Sequence, residues 1–219
     1  MSSIDYGVIL SEKEVINRID LIDKIAQSYM MKINISSLVS EDLFFFSAID
    51  KSIKMIESFI FALKNRNVTV LSTLTRLQID CTIRAFSSSL VDDSSKFCYD
   101  VIVNGRRIDK IKDRNGKLMK DCYLCEQLSE KIGFPVYEIY QKTCSYVHFS
   151  SRSLFDISKT DGDNGFNFYI SRNNREDQQE AFTRLSLELA SCFLYFAMLL
   201  VEDIFGLWVI QKNQMYPKD

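Results

Sequence analysis

A chain of 219 residues with 47% hydrophobic side chains and a mean hydropathy near zero can bury a substantial core as a globular protein. Its net charge of −2 and pI near 5.6 exclude the global positive field expected of a protein that holds nucleic acid electrostatically, although they leave room for a local basic patch. Seven glycines and two prolines supply little turn chemistry for a many-stranded sheet, so the composition points to an all-α fold.

Ser11 and Glu14 form a capping-box pattern, and Val15, Ile19, Ile22 and Ala26 follow at helical spacing, which predicts a first helix over 12–33. Ser40 is positioned to cap a second helix that carries Phe44, Ile49, Ile56 and Phe59 and stops at the polar run 64–67. A third helix is expected over 68–90. It is apolar over more than half its circumference and so belongs at the centre of a bundle. A short amphipathic helix ends at Asn104 and Gly105. Residues 105–119 read as an irregular basic excursion or small hairpin turning at Asn115-Gly116.

Helices are expected next over 120–131 and 135–150, with Pro135 in a first-turn position. The polar run that follows brackets one strand over 166–171, and its "DGDNG" at 161–165 reads as a turn, since the late glutamate of a calcium loop is missing. A long helix over 175–212 closes the chain. Its apolar heart, Leu189 to Val201, is too short for a bilayer and normal for a buried helix, so no membrane partner is expected. Residues 1–219 thus read as a single helical domain, a bundle of six or seven helices with a small irregular or hairpin insertion. "MSSIDYGVILSEKEV" lacks the pattern of a secretory signal, and six scattered cysteines suit reduced thiols, so the expected location is cytoplasmic.

Two groups of polar residues stand out. The sole histidine, His148, lies in "YQKTCSYVHFSSR". A helical wheel puts Val136, Ile139, Tyr140, Thr143, Tyr146 and Val147 on one face and Tyr137, Gln141, Cys144, Ser145, His148 and Arg152 on the other. His148 is then either a solvated surface residue or part of a polar cleft with Tyr137, Ser145 and Arg152. On the third helix Arg76, Asp80 and Arg84 form a charged stripe at i, i+4 and i+8. Such a stripe is either a structural ion-pair ladder or a set of guanidinium forks aimed at an anion such as a phosphate.

With one histidine, a Ser or Cys nucleophile would depend on His148 as its base, yet Ser145 and Cys144 sit on the same helix and would not meet it in attack geometry. Cys122, Cys125, Cys144 and His148 supply four zinc ligands on paper, but both pairs fall inside helical patterns and read as ordinary thiols, so no metal is assigned. No Gly-rich nucleotide loop is present, and no cofactor is expected.

The segments "TRLQIDCTIRAF", "NGRRIDKIKDRNGKLMKDCYLCEQLSEKIG" and "VYEIYQKTCSYVHFSSRS" together resemble a group of bacterial helical proteins of unknown function, over about residues 70–155. A more remote resemblance is to HEPN domains, helical bundles that often act as metal-independent ribonucleases in toxin and phage-defence systems. Their motif places an Arg five to seven residues before a His on one helix. Here Lys142 stands six residues before His148, which supplies charge but not a bidentate fork, and Arg152 follows instead. The resemblance implies RNA as the partner and His148 acting on the ribose hydroxyl or the leaving group, with Arg76, Arg84 or Arg152 stabilising the phosphate. One histidine per chain also implies a homodimer that brings two sites together. The competing class is a non-catalytic interaction or regulatory protein whose Arg stripe and His148 face, including Asp80, Gln141 and Ser145, bind a partner or small anion.

Overall fold

The capping box opens the molecule as expected. In the computed structural model, which describes residues 10–33, 38–147, 158–160, 166–168 and 179–217, the Glu14 carboxylate accepts from the Ser11 N–H at 2.8 Å at the start of α1 (Glu12–Lys32). For 145–147, 158–160 and 166–168 the description is of the backbone alone.

Helix α2 (Ser40–Lys64) differs in its cap. Val39 occupies the N-cap and has no side-chain acceptor, and Ser40 is the first helical residue. The Asp42 carboxylate, 2.9 Å from the Val39 N–H, ties the turn instead. Helix α3 (Val68–Phe86) is shorter than its apolar pattern because the hydroxyls of Ser87, Ser88 and Ser89 each donate to the carbonyl three residues back, tightening Ser87–Leu90 into a 3₁₀ turn. Helices α4 (Ser94–Ile102), α5 (Asp121–Ile132) and α6 (Val136–Val147) follow.

Between α4 and α5 the basic excursion is ordered. Lys112 and Leu118 form an isolated antiparallel bridge, and Gly116 turns the chain at φ +79°, a conformation a side chain would strain. Beyond α6, β1 (Ser158–Thr160) pairs antiparallel with β2 (Phe166–Phe168); the strand over 166–171 was expected, its partner was not. The turn read at 161–165 lies outside the described residues.

Helix α7 (Gln179–Met215) is continuous but contains a π-helical stretch, Leu199–Phe205. The described chain is therefore all-α, with seven helices among the described residues and one short strand pair. An 18-residue window of α7 reaches a mean hydropathy of 2.0, so by length and composition alone it could cross a bilayer; 61% of that window is buried in the bundle, as a central helix requires.

Helix α3 is the hub, packed against α2, α5, α6 and α7. Buried apolar residues from Leu10 to Val209 form one contiguous cluster, with Phe59 and Phe193 stacked 4.1 Å apart between α2 and α7. Just after the π stretch, Gly206 lets α7 approach α1: a Cβ there would stand 2.8 Å from the Tyr29 ring.

Candidate functional site

Charge on a central helix needs a partner or water, and α3 resolves the need in two ways. The Arg76 side chain, 12% exposed, reaches across to α6. Its guanidinium carbon lies 3.5 Å from the Tyr140 ring centroid, and its Nε donates to the Cys144 Sγ at 3.2 Å. Its Nη1 stands 2.6 Å from the Asp80 Oδ1, one turn on. Apart from each other, these two buried atoms have no hydrogen-bond partner among the described residues. Burial works against the Arg76 cation, but Asp80 and Cys144 outweigh it and hold its pKa above the ordinary value.

Arg84, two turns further along α3, does not share Asp80. Its Nη2 meets the Oδ1 of Asp121, the first residue of α5, at 2.9 Å. The other oxygen of Asp121 accepts from the Tyr140 hydroxyl at 3.0 Å. The run Asp80, Arg76, Tyr140, Asp121, Arg84 is thus one polar network joining α3, α5 and α6. Burial, aided by Asp121 against the opposing Arg76 charge, pushes the Tyr140 phenol up, so it stays a donor.

Among the described residues the wheel for α6 is corrected at Cys144, which turns towards α3 and not to the polar face, and at Tyr137, which is partly buried against the core. Tyr137 and Gln141 do stand together, with the Gln141 Nε2 donating to the Tyr137 hydroxyl at 2.8 Å. The side chain of Ser145, and His148 and Arg152 entirely, lie outside the described residues. The structure brings together Arg76, Asp80, Tyr140 and Cys144, and through Asp121 it adds Arg84.

Cys122 is exposed and Cys125 buried, and burial pushes the Cys125 thiol up to about 12, away from the thiolate that zinc requires. Among the described residues no three His, Cys, Asp or Glu side chains stand close enough to hold a metal ion.

Two polar features were invisible in the sequence. Asp42, buried at the start of α2, accepts from the Trp208 Nε1 at 3.2 Å and is paired with Lys212, both 166 or more residues away. Beside it opens a cleft of about 750 Å³, walled by Glu41, Phe86, Lys131, Asp203 and Trp208. Burial raises the pKa of Asp203, with Lys131 opposing, and that of its neighbour Glu202. Both acids sit in the π stretch of α7, and extra turns of this kind recur at functional sites. Compared with protein-family models, with curated proteins and with solved structures, the chain finds no match.

Proposed function

We propose that this chain is a bacterial, cytoplasmic, HEPN-like protein that acts on RNA, with His148 as its proton-transfer group. The observation that supports the reading is that the charged stripe of α3 packs against α6, which Arg76 grips at Tyr140 and Cys144, and in the sequence His148 follows directly on the last residue of α6. In this reading His148 takes the proton from a ribose 2′-hydroxyl, whose oxygen attacks the adjacent phosphorus. The 5′-oxygen of the next nucleotide leaves as a second, protonated imidazole in the homodimer gives it a proton, and a 2′,3′-cyclic phosphate results. One imidazole cannot be base and acid in the same instant, so a second protomer supports the cycle. Arg76 acts here as a brace for α6 and not as a free phosphate clamp, because its charge is already neutralised. The test is RNA cleavage in EDTA by the wild type and by His148→Ala.

A second reading is favoured by a different observation. Both stripe arginines have a carboxylate within 3 Å, Asp80 for one and Asp121 for the other, which suits a structural ladder in a non-catalytic interaction protein. Under that reading RNA is left intact and the network contributes stability alone.

A further inference from the structure

The charge of this protein is segregated. Residues 105–120 hold seven of its 27 basic side chains and two of its 29 acidic ones, so a stretch of sixteen residues is strongly positive within a chain whose net charge is −2. All seven cations are exposed. Of the two internal carboxylates one is buried and the other neutralises a single arginine. Asp113 is buried, where it accepts from the Tyr123 hydroxyl at 2.6 Å and from the N–H groups of Lys117 and Asn115 at 2.7 and 3.0 Å. Asp109 is taken up by a two-pronged pair with Arg107, and Asp100 of α4 pairs with Arg106. That leaves Lys110, Lys112, Lys117 and Lys120 without a carboxylate partner within 4 Å among the described residues.

The segment is also held in shape. Arg114 is turned back onto the end of α3, where its Nε donates to the Leu90 carbonyl at 3.1 Å and its Nη2 to the Ser89 and Val91 carbonyls at 2.5 and 3.1 Å. Ile108, Ile111 and Met119 are buried in the core, and the Met119 N–H donates to the Ile111 carbonyl at 3.0 Å. One position along from those anchors, Lys112 and Leu118 face outwards. A connection of this length with so little regular structure is uncommon unless it serves a function. Because the backbone is anchored, only the lysine side chains have to be ordered when an anion arrives.

One aromatic ring lies against a platform cation, and another is exposed on the preceding helix. The Lys117 Nζ stands 5.4 Å from the Tyr123 ring, and Tyr99 of α4 is exposed. Cations interleaved with rings are what a single-stranded nucleic acid uses, phosphates on the one and bases on the other. The segment runs directly into Asp121 and hence into the α3 and α6 network. Arg107 is close enough to feel the charge of Asp121, and Asp109 that of Arg84.

We propose that residues 105–120 form a preformed cationic platform that holds the phosphate backbone of single-stranded RNA and leads it towards α6. The proposal rests on the reading that the chain acts on RNA, and not on His148 being catalytic. The test is fluorescence anisotropy in EDTA across a salt series with a labelled single-stranded RNA whose 2′-hydroxyls are methylated, so that it cannot be cleaved through 2′-hydroxyl attack. It compares the wild type with a variant carrying Lys110→Ala, Lys112→Ala, Lys117→Ala and Lys120→Ala. A control variant carries Lys13→Ala, Lys24→Ala, Lys51→Ala and Lys64→Ala, which changes the net charge equally through exposed lysines elsewhere. The platform variant is expected to bind at least about tenfold more weakly, and its log–log salt slope to fall by about 2 to 3, at ~0.7 per phosphate contact on a single strand. The control should bind within about twofold of the wild type, and all variants should keep the wild-type melting temperature. Equal weakening in the control and platform variants, or none in either, overturns the platform. Poly-glutamate competing as well as RNA overturns the assignment to RNA in favour of an acidic protein partner. Absence of RNA binding by the wild type at low salt overturns the platform and the RNA reading together. Binding that depends on the platform, without any cleavage, upholds the platform and removes only the ribonuclease chemistry.

Discussion

The Arg76 guanidinium lies on the face of the Tyr140 ring, its central carbon 3.5 Å from the centroid, and this stack fixes how α6 is rotated against α3. A cation over a desolvated ring is worth up to about 2 kcal/mol, and the ring's hydroxyl is separately engaged by Asp121 at 3.0 Å. The two contributions are separable by mutation. Tyr140→Phe keeps the ring and loses the hydrogen bond, and should cost about 1 kcal/mol in urea unfolding. Tyr140→Leu also loses the stack and should cost at least about 1 kcal/mol more.

Asp80 is the counter-charge that makes a buried Arg76 tolerable. Asp80→Ala should therefore destabilise by about 3 kcal/mol, because it strands a cation that is 12% exposed. Replacing both partners with apolar residues, Arg76→Met with Asp80→Leu, should recover most of that loss. A double-mutant cycle followed by denaturant midpoint checks both statements.

The Asp42–Lys212 pair ties the start of α2 to the end of α7 and is almost wholly buried. Lys212→Met leaves the Asp42 carboxylate with the Trp208 and Val39 N–H donors alone among the described residues, and should cost about 3 kcal/mol. Amide exchange should then quicken in the last turns of α7 before it does in α3.

Asp203 should reveal itself through pH. Burial raises its pKa in the folded protein above the ordinary value of 3.8, so the folded state binds its proton more tightly than the unfolded state does. The stability this provides is present below pH 3.8 and is lost as pH rises through the folded value. Asp203→Asn should accordingly melt higher than the wild type at pH 7, and the difference should vanish as the pH falls below about 4. Thermal melts of both proteins at several pH values between 3 and 8 check the sign.

Local signals were well read from the sequence, and distant ones were not. The Ser11–Glu14 capping box, the Asn115-Gly116 turn and the placement of α3 at the centre rest on residues a few positions apart. The second cap misled because Ser40 is a good N-cap type, whereas Asp42 reaching back to Val39 achieves the same closure one residue earlier. Arg76, Asp80 and Arg84 were recognised as a stripe, but the residue that divides it, Asp121, is 37 positions beyond Arg84 and carries no periodic mark. Cys144 was placed on the polar face because a wheel ranks residues by spacing and cannot see a guanidinium arriving from another helix. The π stretch of α7 is hidden in a run so apolar that an extra residue per turn changes no pattern.

Incubation of end-labelled RNA with the protein in EDTA, alongside His148→Ala purified in parallel, decides whether this helical bundle is a ribonuclease. The wild type should cleave and leave 2′,3′-cyclic phosphate ends, and His148→Ala should be slower by about 10²-fold or more. Intact RNA with the wild type, or equal cleavage by both proteins, would contradict the assignment of His148 and leave the α3–α5–α6 network as a structural brace.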